Sequence, residues 1–245
     1  MEKIELFGIT YAAGNMNAAV SEVLARVKEL RGRYICFSNV HTLVTAVENE
    51  KYKRVLNGAE YTFPDGAPIA WKLRRKGMPE ADRIAGPDFM EEVFKATADG
   101  ETSHFFYGSG RQVLEKLEAS VRERYPQINI AGSFAPPYRK LSADEDKKIV
   151  AMLNSSGADI IWVGLGAPKQ EIFMYLHRHQ VEGVMIGVGA GFDLQAGLVR
   201  RAPLWMQKMS LEWLYRLFNE PKRLAKRYLV TNTKFMKYCI LSKKQ

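Results

Sequence analysis

The 245-residue chain is 47% hydrophobic and 11% aromatic with a net charge of +9, enough apolar matter to fill the core of one large domain and too much for a disordered segment. No stretch reaches about 18 uninterrupted apolar residues, and the opening MEKIELFGIT has neither a basic region nor a long apolar run, so neither a membrane-spanning helix nor a secretory leader is expected. Cys36 and Cys239 lie far apart and offer no disulfide framework or zinc site, which fits a reducing cytoplasm.

In chain order, IELFGI predicts a first strand. Ala13-Gly14-Asn15 leads from it into a helix over Ala18–Leu30, where Val20, Val23, Leu24, Val27 and Leu30 recur at helical spacing. YICFSN (Tyr34–Asn39) predicts a second strand, followed by a helix through His41–Val47 and another through KYKRVLNGAE, capped near Gly58. YTFPDG gives a short strand ending at Asp65, and Pro68–Lys76 turns helical. After a polar loop, Pro87 suits the first turn of a helix over Asp88–Ala98. HFFYGSG predicts a strand and glycine turn, with Arg111–Tyr125 as the following helix. INIAGSFAPPY predicts a strand leaving through a proline-rich loop. Ser142 caps a helix Ala143–Asn154, with Glu145 at the capping-box position.

The stretch DIIWVGLGAPKQEIFMYLHRHQVEGVMIGVGAGFDLQAG then reads as buried strand, glycine turn, helix, buried strand and second glycine turn. IIWV and VMIGV are apolar runs typical of strands covered on both faces. The alternation predicts a mainly parallel, Rossmann-like α/β sheet with helices on both faces. Such sheets bind ligands at the carboxyl ends of their strands. Glycines there, Gly108, Gly166 and Gly189 among them, allow close backbone approach, and the helix opening near Pro168 offers free N–H groups to phosphate.

After Pro203 the pattern becomes helical and basic, broken at Pro221. From Arg200 onward there are 12 Lys/Arg and two acids, a charge of +10, whereas the preceding 199 residues carry −1. We therefore divide the chain into a core, 1–199, and a basic appendage, 200–245. Trp205, Met209, Trp213, Leu214, Leu217 and Phe218 make a broad apolar face in that appendage. A basic, aromatic, amphipathic tail suits an anionic membrane surface; the other readings are that this face packs on the sheet or that the charge solvates the protein.

Four residues stand out for chemistry. Asp65, at a strand end, is either a general base or a turn former before glycine. Asn39, at another strand end, either contacts ligand or makes a local turn. Arg83 either faces a diphosphate or lies on the surface. Gln170 sits in the first turn after Gly166, beside the expected phosphate seat. No P-loop is present, and Gly164-Leu-Gly166 and Gly108-Ser-Gly110 both lack the third glycine of a dinucleotide fingerprint. Asp144-Glu145-Asp146 matches a metal-binding Asp-x-Asp, but it falls in a first helical turn, where acids complement the dipole. His177 and His179 point in different directions on a helix and make no metal pair.

Together, FSNVHT, LNGAEYTFPDGAPIAW, RIAGPDFM, VGLGAPKQE, GVGAGFDLQAG and RRAPLWMQKMSLEWLYRLFNEPKRLAKRY resemble the WecG/TagA/CpsF family of bacterial glycosyltransferases over nearly the whole chain. The resemblance implies inverting transfer of a sugar from a UDP-sugar, of N-acetylmannosamine or glucose type, to an undecaprenyl-diphosphate-linked sugar in surface polysaccharide synthesis. It implies a peripheral enzyme at the cytoplasmic face of the inner membrane, with no metal or cofactor. Asp65 then matches the base, and Asn39, Arg83 and Gln170 match pocket residues. Tyr138 and Asp193 fall where donor contacts are expected. Arg216, Arg223 and Arg227 would meet the donor or the lipid diphosphate. Some members carry Thr where this chain has Phe37, so either Ser38 supplies the hydroxyl or the donor pocket differs. Self-association is left open. The rivals are a nucleic-acid-binding module using the basic tail, which lacks a groove-reading motif, and a nicotinamide-dependent oxidoreductase.

Overall fold

The computed structural model describes residues 1–203, 205–206, 209 and 211–241, without the side chain of Arg223. Strands β3 (Tyr34–Ser38), β4 (Tyr61–Pro64), β5 (Ser103–Gly108), β6 (Asn129–Phe134), β7 (Ile160–Gly164) and β8 (Val184–Gly187) form one sheet. All of its pairings are parallel, in the order β4-β3-β8-β7-β5-β6. This is the Rossmann-like α/β architecture that the alternating pattern predicts.

Strand alternation divides the core. On β3, Tyr34 and Cys36 join one apolar cluster while Ile35 and Phe37 join the other. On β7, Ile161 and Val163 face the first cluster, Ile160 and Trp162 the second. Helices α2 (Val40–Glu48), α3 (Glu50–Asn57), α4 (Ala67–Arg75), α7 (Ala143–Ser155) and α8 (Lys169–His177) cover the first face. Helices α1 (Met16–Ala25), α5 (Gly86–Ala96) and α6 (Arg111–Arg124), with the short α9 (Gly191–Gln195), cover the second. The predicted capping box is present: Ser142 accepts from the Glu145 N–H, and Glu145 accepts from the Ser142 N–H at 2.9 Å. That commits the central acid of Asp144-Glu145-Asp146 to the helix start, while Asp146 meets His177 at 3.0 Å.

Two predicted elements differ. IELFGI is not one strand but the start of a hairpin, β1 (Lys3–Leu6) and β2 (Ile9–Ala12), paired antiparallel in a separate two-stranded sheet. Phe7 and Gly8 have φ of 54° and 78°, the left-handed pair that closes a two-residue turn in step with strand twist. Helix α1 stops at Ala25 rather than Leu30. There Arg26 caps it and turns its guanidinium to Glu22 and Glu29.

His104 is fully buried on β5. The Trp162 Nε1–H donates to its Nδ1 at 3.2 Å, so Nε2 carries the proton and donates to Thr97. Burial pushes its pKa from 6.5 down to about 4. Between those values the unfolded chain holds a proton that the folded chain does not, so stability falls as pH drops through that window, at most roughly 1.4 kcal/mol per unit. Urea melts from pH 7 to pH 4 should show a flatter acid limb for His104→Gln than for the unmodified chain. Parallel limbs would show that His104 does not drive the effect.

The chain breaks at Pro221 between a helix over Glu212–Asn219 and a C-terminal helix over Pro221–Leu241. The latter packs along α2. Leu224, Thr231, Phe235 and Cys239, spaced seven, four and four, form its buried stripe. The Phe235 ring meets Phe7 edge-on at 6.2 Å, and Lys234 and Tyr238 both reach Glu48. The outer face keeps Leu229 and Ile240 in solvent, and the preceding helix likewise exposes Phe218. Part of the appendage's apolar surface is thus core and part is bare. Among the described residues no helix is long and apolar enough to cross a membrane.

Candidate active site

A cavity of about 480 Å³ opens at the carboxyl ends of β3 and β4, with the appendage as its far wall. The β3 end contributes Asn39 and His41, the β4 end Asp65, Gly66 and Pro68, and the loop before α5 contributes Arg83. The appendage contributes Arg201, Glu212, Arg216 and Arg227.

Asn39 is placed by helix capping. Its Oδ1 accepts the N–H groups of His41 at 3.0 Å and Thr42 at 3.2 Å, as an N-cap should. That leaves its amide N–H₂ on the side of Asp65, whose charged form it favours. Asp65 is held by its own backbone, whose N–H donates to the Ser38 carbonyl at 2.9 Å. Gly66, at φ 159°, carries the chain from β4 into α4 immediately behind the carboxylate. Burial raises the Asp65 pKa above its ordinary value, against the opposing pull of Arg83 and Arg216 and with a further push from Glu212. A carboxylate so placed is a stronger base than an exposed one, yet has cations beside it that favour its charged form.

Four charged residues of the cavity lining form one network. Arg83 pairs with Asp88 at 3.3 Å and with Glu212. Arg201 pairs with Asp88 and, at 3.7 Å, with Glu212. Two carboxylates thus hold two guanidiniums and tie the appendage to the core. Glu212, Asp88 and Arg201 are absent from the sequence-derived candidates. Their only sequence signal is charge at the two ends of a contact spanning 129 residues from Arg83 to Glu212. Among the described residues Arg216 and Arg227 have no carboxylate within ion-pair reach, although both line the same cavity.

The cavity therefore gathers Asn39, Asp65, Arg83, Arg216 and Arg227. The other candidates lie elsewhere. Ser38 is fully buried, with its hydroxyl taken by Tyr11 at 2.9 Å and Thr42 at 3.0 Å. Gln170 is only 4% exposed. Its Oε1 accepts the Gly166 N–H at 3.1 Å and its Nε2 donates to Glu171 at 2.8 Å, so it stitches the first glycine turn to α8. Tyr138 is 92% exposed on the loop after β6. Asp193 lies in α9, where its carbonyl accepts the N–H groups of Leu198 and Val199. The side chain of Arg223 lies outside the described residues.

The glycines serve two purposes. A Cβ on Gly108, at φ 127°, would lie 2.6 Å from the Gly164 carbonyl carbon, and one on Gly164 would lie 2.6 Å from the Phe192 ring. A Cβ on Gly187 would strike Met174. These three let protein, not ligand, come close. Gly110 and Gly166 alone at this edge have open space where a Cβ would go.

A model of the glycosyl transferase WecG/TagA/CpsF family matches residues 4–245. A relative from Bacillus spizizenii, N-acetylglucosaminyldiphosphoundecaprenol N-acetyl-beta-D-mannosaminyltransferase, is 31% identical over 194 residues, which are 79% of this chain and 74% of the relative.

Proposed function

Because the chain belongs to the WecG/TagA/CpsF family of glycosyltransferases, we propose that it transfers a sugar from a UDP-sugar to an undecaprenyl-diphosphate-linked N-acetylglucosamine, with inversion, during surface polysaccharide synthesis. The acceptor is drawn from the printed name of the B. spizizenii relative. N-acetylmannosamine is the first donor sugar to try, and a glucose-type donor the second.

One observation carries the inverting mechanism. Of the three carboxylates lining the cavity, Asp88 and Glu212 are engaged by Arg83 and Arg201, whereas Asp65 is in no ion pair among the described residues. A single free carboxylate suits a single displacement. It takes the proton of the acceptor hydroxyl as that oxygen attacks the anomeric carbon, and the bond to the UDP oxygen breaks on the opposite side. Negative charge then grows on the departing diphosphate, where one of the cavity arginines Arg216 and Arg227 can meet it. Residues 200–245 act as a membrane-associating appendage in this reading, bringing those arginines to the core at the cytoplasmic face of the membrane.

The test is a donor panel with a short-chain lipid diphosphate N-acetylglucosamine, product linkage read by NMR, with and without EDTA. We expect one UDP-sugar to give an inverted linkage, undiminished by EDTA, since the acids at Asp144–Asp146 are absorbed at a helix start and by His177. Absence of transfer from every UDP-sugar would overturn the reading, and a loss restored by Mg²⁺ would overturn its metal independence.

A further inference from the structure

We propose that His41 and Arg227 form one phosphate-binding subsite in the cavity, between the start of α2 and the C-terminal helix. Both residues line the cavity. The His41 Nδ1 and the Arg227 Nε are each buried, and neither has a hydrogen-bond partner. An unpartnered buried polar atom is unfavourable, and here two occur on two helices that line one cavity. His41 is not loosely held. Its N–H is fixed by the Asn39 side chain, and its carbonyl accepts the Thr45 hydroxyl at 2.8 Å. Arg227 lies with its guanidinium 5.5 Å from the Tyr228 ring centroid. The orphaned atoms therefore sit on a residue whose backbone is fixed at a helix start and on a guanidinium beside an aromatic ring.

The chemistry of the pair selects an anion. Arg227 brings a charge that no carboxylate among the described residues offsets. Burial and that neighbouring charge both lower the His41 pKa, so the ring is neutral and offers one N–H in whichever tautomer its ligand requires. A guanidinium N–H and an imidazole N–H offered to one cavity from two helices suit the oxygens of a phosphate. A sugar hydroxyl would leave the guanidinium charge uncompensated. Arg83 is a poorer seat, since Asp88 and Glu212 already hold its guanidinium. This inference rests on the cavity being the transfer site, and it adds His41 as a recognition residue. The phosphate belongs to either the donor's or the acceptor's diphosphate, and the two have the same chemistry here.

The experiment begins with calorimetric titration of inorganic pyrophosphate into the full chain and its His41→Phe, His41→Asn and Arg227→Gln variants. Phe fills the ring's space without a donor, whereas the Asn amide reaches the position of Nδ1. We expect His41→Phe to weaken pyrophosphate about tenfold, the loss of one charge-assisted hydrogen bond. His41→Asn should recover most of it, and Arg227→Gln should weaken binding at least as much as His41→Phe. In the transfer assay the same loss should fall on KM for one substrate more than on kcat. A rise in KM for the UDP-sugar names the donor as the source, and a rise for the lipid diphosphate names the acceptor. No pyrophosphate binding by the unmodified chain, wild-type affinity in His41→Phe, or an equal loss in His41→Asn would each overturn the subsite. The titration needs no turnover, so an inactive protein whose pyrophosphate affinity still depends on His41 would count against the proposed reaction alone.

Discussion

An Asp65→Asn variant should bind UDP within about twofold of the unmodified chain while its turnover falls by about 100- to 10,000-fold, the usual worth of a positioned general base. The substitution preserves shape and the backbone hydrogen bond from the Asp65 N–H to Ser38, so the fold has no reason to change. What it removes is, among the described residues, the only cavity carboxylate outside an ion pair. The loss should appear in kcat and kcat/KM together, since the proton moves only as the bond to the acceptor forms. Burial raises the Asp65 pKa, while Arg83 and Arg216 pull it back. The acid limb of the kcat/KM profile should accordingly lie above the ordinary aspartate range and vanish in the variant. Unchanged turnover in Asp65→Asn would remove the base from this mechanism. Turnover lost together with UDP affinity would instead make Asp65 a binding group.

The sheet was readable because a strand buried on both faces must be apolar throughout. IIWV and VMIGV fill β7 and β8, and their alternate side chains feed the two clusters. The N-terminal hairpin was not readable, because its turn is Phe7-Gly8 rather than an Asn-Gly or Asp-Gly pair, and phenylalanine seldom takes a positive φ. Glycine at a strand end states only that a Cβ is unwelcome. Whether protein or ligand fills its place is a tertiary fact, and at Gly108, Gly164 and Gly187 it is protein. Asp65 and Asn39 were readable as strand termini, since the strand ends set where they point. Arg83 was readable as a cavity cation but not as a paired one, because Glu212 lies on a separate helix far along the chain. His41 was hidden for a similar reason. Its significance comes from an arginine on another helix, and no local spacing announces that meeting.

Serine at Phe218, Leu229 and Ile240 should strip the protein from anionic vesicles without harming its chemistry. These side chains are 74%, 72% and 58% exposed, so the folded chain keeps little by holding them. Leu229 and Ile240 are eleven residues apart on one helix and share a face, opposite the stripe of Leu224, Thr231, Phe235 and Cys239 that packs on the core. Returning each to a bilayer interface is worth about 1 kcal/mol, so three together change partitioning about a hundredfold. Vesicle sedimentation should register that loss, and turnover of a membrane-embedded acceptor should fall with it. Turnover of a water-soluble short-chain acceptor should not. Arg216→Gln should behave in the opposite way. It removes one of 12 appendage cations, which leaves vesicle binding largely intact, yet it takes from the cavity a charge that acts on Asp65, and transfer should fail with either acceptor. If the serine variant sediments like the parent, the bare face is not the anchor. If it fails with the short-chain acceptor too, that face supports the cavity wall, and the two roles of the appendage are not separable.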